Sequence, residues 1–186
     1  MWRLILTAVL LLAAAPAASP QGLMPEWEVK QALAALTTQT QRLKPILDEF
    51  KPQDWTRQGA PQTYVAQLKS AQDEIGFLVR TAETLAKQPD KLTLTLEVFL
   101  RLEAMETMVD SLGQGARRYQ NPALADLLQG VVSETAGSRE KLRQYLVELA
   151  TAKEDELRIA NLEAQRCRST LIRKQPAKTQ AKPERQ

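Results

Sequence analysis

Residues 29–50 read VKQALAALTTQTQRLKPILDEF. Their core-type positions recur at alternating steps of four and three residues: Val29, Leu33, Leu36, Thr40, Leu43, Leu47 and Phe50. Residues at these steps share one face of an α-helix, so the pattern predicts an amphipathic helix with one buried stripe. Pro45 removes a backbone hydrogen bond to Gln41, and we expect a kink there because the stripe continues in phase. The alternative is a break at Lys44-Pro45.

The same repeat returns in three further segments. The second, residues 61–87, carries Tyr64, Leu68, Ala71, Ile75, Leu78, Ala82 and Leu85. The third, residues 91–112, carries Val98, Leu102, Met105, Val109 and Leu112, and we expect Gly113-Gln114-Gly115 to end it. The fourth, residues 122–150, carries Leu124, Leu128, Val131, Thr135, Ser138, Leu142, Tyr145 and Leu149. Asn121-Pro122 is a strong helix start, and Ala136-Gly137 predicts a bend or a short break.

The connections between these segments predict how the helices are arranged. Residues 51–61, KPQDWTRQGAP, have the composition of a loop, in which Trp55 is either a contact residue or a lid over the end of a bundle. Gln88-Pro89-Asp90 is short enough to force antiparallel neighbours. The sequence therefore predicts an all-α protein, an up-down antiparallel four-helix bundle over residues 19–150.

The chain changes character after Ala150. Residues 151–173 remain helical in pattern but are rich in charge, so we expect a helical extension that either projects about 30 Å beyond the bundle or folds back on it. Residues 174–186, KQPAKTQAKPERQ, are basic and have no apolar stripe, so we expect a disordered tail. From Arg166 onward there are seven basic residues and one acid, although the net charge of the whole chain is only +3.

The first residues have the pattern of an export signal. Met1-Trp2-Arg3 precedes the apolar run Leu4 to Ala15, and Pro16-Ala17-Ala18 supplies small residues for cleavage. This pattern predicts a secretory signal peptide over residues 1–18, with cleavage near Ala17 or Ala18. The alternative is an uncleaved N-terminal anchor. We therefore expect an exported protein, periplasmic or secreted.

The composition argues against several functional classes. The chain contains no histidine and one cysteine, so neither a histidine-ligated metal or haem site nor a Ser-His-Asp or Cys-His catalytic unit can be built. We expect no catalytic residues, no metal and no cofactor, and hence no enzyme. Two acidic groups, Glu103 with Glu106 and residues 154–156, are more simply explained as solvated helix faces than as metal or acid–base sites.

Cys167 allows three interpretations. It pairs with Cys167 of a second chain in a parallel helical dimer, since Ala160, Cys167 and Leu171 lie on one face. It binds a thiol cofactor or a partner protein, or it is a small half-buried residue without chemistry. An extension longer than the bundle needs, carrying the only cysteine, favours a homodimer or a protein partner through residues 151–172.

Two basic features suggest anionic partners. Arg117 and Arg118, followed by Tyr119 on a loop between the third and fourth helices, could hold a phosphate or a sugar acid. The basic tail has the composition of a segment that touches polyanions or an anionic membrane surface, but nothing predicts specific nucleic-acid binding. The sequence thus favours a non-enzymatic exported protein that acts by helix-mediated association. The alternative is a periplasmic ligand-binding or sensing module for an anionic ligand.

Overall fold

The computed structural model describes residues 23–174, and 88% of them are helical. Six helices follow one another: α1 (Glu26–Gln41), α2 (Leu43–Asp48), α3 (Pro52–Arg57), α4 (Thr63–Lys87), α5 (Leu92–Tyr119) and α6 (Pro122–Lys174). No residue in this part of the chain forms a strand, which confirms the all-α prediction. The predicted signal peptide, residues 1–18, lies outside the described residues, and so does the predicted tail, residues 174–186, except for Lys174 at the end of α6.

The helices pack as a bundle around one apolar core. Helix α1 contacts α4 and α6, and α5 contacts the same two helices. All seven positions of the stripe between Val29 and Phe50 are buried. The helix does not stop at Pro45; instead, a one-residue interruption at Arg42 separates α1 from α2. There the N–H of Arg42 bonds to the carbonyl of Gln39, three residues earlier.

The prediction of a loop over residues 51–61 is partly wrong, because this segment contains the short helix α3, which has Pro52 at its first position. Trp55 on α3 is fully buried against Phe50 and Tyr64, at ring-centroid distances of 5.7 and 5.5 Å. The indole Nε1–H of Trp55 donates to Gln120 Oε1 at 2.9 Å. Trp55 therefore lies over the interior of the bundle, as the lid interpretation predicted.

The prediction that the third helix ends at Gly113-Gln114-Gly115 is wrong, because α5 continues to Tyr119. Gly115 is needed for packing rather than for termination. A Cβ atom built at Gly115 would lie 2.8 Å from Cζ3 of Trp55, closer than such atoms approach, and 3.0 Å from Cε1 of Tyr64, which is also a tight contact. The glycine leaves room for the aromatic lid, and the helix continues past it.

The fourth segment is a single helix of 53 residues, so of the bend or short break expected at Ala136-Gly137, the break is wrong. Asn121 caps its start, as predicted, by accepting the N–H of Ala123 at 2.9 Å. The Tyr145 hydroxyl donates to the carbonyl of Pro89 at 2.7 Å, which ties α6 to the connection between α4 and α5. Burial, and then the charges of Asp90, Glu26 and Glu148, raise the pKa of Tyr145 above its ordinary value.

Polar side chains interrupt the core near the middle of the bundle. Thr135 Oγ1 lies 2.8 Å from Glu106 Oε1 and 2.7 Å from the Val132 carbonyl, and Ser138 Oγ lies 3.0 Å from Gln39 Oε1. Thr40 is also fully buried, but its hydroxyl has no hydrogen-bond partner among the described residues. A buried hydroxyl without a hydrogen-bond partner lowers the free energy of unfolding.

We therefore expect Thr40→Val to raise the free energy of unfolding by about 1 kcal/mol, because a methyl group of similar size replaces an unsatisfied hydroxyl. Thr135→Val is the matched control, since it removes a hydroxyl that has partners and should lower stability by about 1 kcal/mol. Urea denaturation followed by circular dichroism measures both. A Thr40→Val protein less stable than the parent would contradict the prediction.

Candidate functional site

The C-terminal part of α6 is the most unusual surface of the molecule. Leu149 is the last buried residue of the stripe, yet the helix continues to Lys174. Every residue from Glu154 to Arg173 is exposed, so this segment packs against no other part of the described chain. Of the two predicted arrangements of the extension, projecting or folding back, the structure has the projecting one.

The exposed segment carries large apolar side chains. Leu157, Leu171 and Ile172 have 63, 64 and 71% of their surface exposed, and Ile159 and Leu162 are exposed as well. An apolar side chain gains free energy of about 25 cal/mol for each Å² removed from water. Several such side chains on one unpacked helix form a surface suited to binding another helix.

The apolar face of the extension differs from the face that α6 buries in the bundle. Continuing the core stripe beyond Leu149 would bring it to Ala152, Glu156, Ile159, Glu163 and Arg166, three of which are charged. A stripe displaced by one residue is uncharged throughout: Leu157, Ala160, Ala164, Cys167 and Leu171. The other large apolar side chains, Ile159, Leu162 and Ile172, lie off it. One residue corresponds to about 100° around the helix, so this second stripe, here called the seam, lies to one side of the face that α6 buries in the bundle.

Charged residues flank the seam. Lys153 pairs with Glu156 at 3.0 Å and Asp155 with Arg158 at 3.0 Å, both within the helix. Glu163 and Arg168 form no ion pair with any residue between 23 and 174. Cys167 is a free, exposed cysteine in the same region. The structure thus contains the segment predicted for association, and the described residues leave its apolar and charged groups uncovered.

The second predicted site, Arg117 with Arg118, lies in the last turn of α5 and not on a loop, because α5 is longer than predicted. Arg117 Nη2 is 2.5 Å from Asp126 Oδ1 of α6. Arg118 lies over the ring of Tyr119, 5.2 Å from its centroid. An anion at Arg117 would therefore compete with a carboxylate that is already in place, and the anion-binding hypothesis stays a prediction.

The acidic pair of α5 shares one arginine of α6. Arg139 of α6 reaches both carboxylates, at 3.5 Å from Glu103 Oε1 and 3.1 Å from Glu106 Oε2. Within residues 23–174, no group of three or more Asp, Glu, Cys or His side chains is placed to hold a metal ion. The arginine gives the pair a role in joining α5 to α6.

A shallow groove along α4 and α5 was not predicted from the sequence. Phe77 is exposed beside it, and the guanidinium carbons of Arg80 and Arg101 lie 4.8 and 5.3 Å from the centre of its ring. Arg101 bonds to Glu74 and Glu97, and these hydrogen bonds raise its pKa. Arg101, Glu74 and Glu97 along this groove are thus already paired with one another, and the large apolar residues that line it, Leu96 and Leu100, are fewer than those of the extension.

Among residues 23–174, none of the helices has the length and apolar character needed to cross a membrane. Comparisons of the chain with models of known families, with curated proteins and with solved structures give no match.

Proposed function

We propose that this protein is a non-enzymatic exported helical protein that acts by helix-mediated association through residues 151–172. One observation carries the proposal: α6 continues from Glu154 to Arg173 with every residue exposed, including five large apolar side chains. Helices in proteins gain most of their stability by packing an amphipathic face. A partner that covers the extension would supply that packing.

The proposed scaffold is an up-down antiparallel four-helix bundle made of α1 with α2, α4, α5 and α6. Contacts between neighbouring helices support opposite directions. Between the first and last helices, Met24 bonds to Glu148 whereas Arg42 pairs with Glu134. Between α5 and α6, Glu106 meets Arg139 whereas Arg117 meets Asp126.

Between α4 and α5, Gln67 bonds to Ser111 whereas Glu74 bonds to Arg101. In each pair of helices, the residue number rises along one helix as it falls along the other. The extension leaves this scaffold at the end where α1 begins, because Met24 lies beside Glu148.

Export is proposed from the sequence of residues 1–18, and it has a direct test. We expect the protein recovered from outside the cytoplasm to begin at Ala18 or Ser19, which intact-mass measurement would show. A full-length protein that still carries residues 1–17 would support the uncleaved-anchor alternative. A protein found only inside the cytoplasm would contradict export.

Site-specific photo-crosslinking in the cells that express the protein tests association. We expect a photoreactive phenylalanine at Leu157 or Leu171 to give covalent adducts, because both side chains lie on the uncovered seam. Leu127 is the matched control, since it lies on the same helix within the bundle and is 56% exposed, against 63% for Leu157.

Adducts from Leu157 and Leu171 at a yield at least about tenfold above that from Leu127 would support the proposal. Equal yields from the three positions, or none from the two extension positions, would refute it. The control separates a docking face from the general exposure of apolar side chains on α6.

A further inference from the structure

The spacing of the seam indicates what covers it. Leu157, Ala160, Ala164, Cys167 and Leu171 follow one another at steps of three, four, three and four residues, the a and d positions of a heptad repeat. Leu157, Ala164 and Leu171 take position a, and Ala160 and Cys167 take position d. This seam is independent of the stripe that α6 buries in the bundle, so a second helix can occupy it while the bundle stays intact.

We propose that the occupant is a second copy of the same chain, aligned in parallel and in register, with a disulfide between the two Cys167 residues. This inference rests on the proposed function and names the partner at the same site. In a parallel dimer each d residue faces its own copy. Cys167 therefore faces Cys167 of the partner subunit, within the range of about 4.4–6.8 Å between Cα atoms that a disulfide requires.

Charge complementarity supports the parallel direction. Glu163 takes position g and Arg168 the following e position, and neither forms an ion pair within the described residues. In a parallel dimer a g residue lies beside the next e residue of the other helix, so Glu163 meets Arg168 of the partner subunit twice. In an antiparallel dimer the g positions of the two helices face each other. Because these positions hold only Glu156, Glu163 and Thr170, they would bring no opposite charges together.

Because the seam contains small side chains, a covalent link would add stability that their packing alone does not supply. Ala160 and Ala164 let two helices approach closely but bury little apolar surface. The disulfide forms by exchange with a disulfide oxidant: two Cys167 thiols are oxidised to one disulfide, and the oxidant is reduced to two thiols. Oxidising compartments outside the cytoplasm allow such a bond to persist.

Moving the cysteine along the helix tests the geometry. The full chain, as its cells produce it, is oxidised with glutathione disulfide in three forms. These are the parent with Cys167, Cys167→Ser with Ala160→Cys, and Cys167→Ser with Ser169→Cys. Positions 160 and 167 are both d, whereas Ser169 takes position f on the opposite face.

We expect the first two forms to become disulfide-linked dimers at least about tenfold faster than the third. Only a parallel, in-register pair brings both d positions together with their own copies. Cross-linking of Cys167 without cross-linking at position 160 would indicate an antiparallel pair and overturn the proposal. So would equal rates at all three positions, or no dimer in any form.

A charge exchange tests the seam without the disulfide. In the Cys167→Ser chain, we expect Arg168→Glu to weaken dimerisation, measured by analytical ultracentrifugation, by about tenfold. Adding Glu163→Arg to Arg168→Glu restores opposite charges and should restore the affinity. Failure of the double exchange to restore it would overturn the predicted pairing.

The two proposals can fail separately. Adducts from Leu157 and Leu171 to a different protein, together with a chain that never dimerises, would leave association standing and refute the second copy as partner. An absence of all adducts from the extension would refute association itself.

Discussion

Trp55→Ala is expected to lower the free energy of unfolding by about 3–5 kcal/mol, because it removes a large, fully buried side chain and leaves a cavity. No part of the indole ring is exposed, and Phe50 and Tyr64 pack against it. The substitution also removes the only α3 side chain that bonds to the start of the connection between α5 and α6. This one substitution therefore weakens the packing of α3 both against α4 and against the end of α5.

The hydrogen bonds around Gln120 add to this cost. Gln120 Oε1 accepts both the indole Nε1–H of Trp55 at 2.9 Å and the backbone N–H of Lys51 at 3.0 Å. Gln120 Nε2 donates to the carbonyl of Glu49 at 2.8 Å. One side-chain amide thus holds the chain on both sides of Lys51 against the end of α5, and the indole keeps that amide in place.

Denaturation of Trp55→Ala beside Trp27→Ala measures the effect. Trp27 is 66% exposed near the start of α1, so its removal should change the free energy of unfolding by no more than about 0.5 kcal/mol. Equal losses for the two variants would contradict the role assigned to Trp55. The pair compares the same chemical change at a buried and an exposed position.

The features that were predicted correctly from the sequence are those that depend only on residues near one another in the chain. The stripes could be predicted because a repeat of three and four residues can bury only one helix face, and the positions between Val29 and Phe50 are all buried. The extension could be predicted from the loss of that stripe after Ala150. Both conclusions need only neighbours along one helix.

The errors came from contacts between distant residues. Gly115 resembles a helix terminator until the ring of Trp55, 60 residues earlier, is known to occupy the space beside it. Arg117 resembles a free cation until α5 extends far enough to place it beside Asp126. The acidic pair of α5 was expected to be a solvated helix face, but Arg139 of α6 reaches both carboxylates. Which residues pair across helices depends on register, and one helix's periodicity does not reveal it.

Gly115→Ala is expected to lower the free energy of unfolding by about 2 kcal/mol, although alanine is the better helix former. The added methyl group would meet Trp55 at 2.8 Å and Tyr64 at 3.0 Å. The Trp55 ring is rigid and fully buried, so it can move away only by disturbing its packing and its hydrogen bond to Gln120.

Gly137→Ala is the matched control, because it makes the same change inside α6 where no atom lies within 4 Å of the added Cβ. It should raise the free energy of unfolding by about 1 kcal/mol through helix propensity alone. The two glycine substitutions therefore have opposite expected signs, which urea denaturation measures directly. A gain in stability from both would show that Gly115 is not required for packing the lid.

A double substitution identifies the source of the cost. With Trp55→Ala already present, the space beside position 115 is open, so adding Gly115→Ala should cost at least about 1 kcal/mol less than it does in the parent. Such coupling would show that Gly115 is small because Trp55 is large. If the cost of Gly115→Ala is the same with and without the indole, the clash with Trp55 is not its cause.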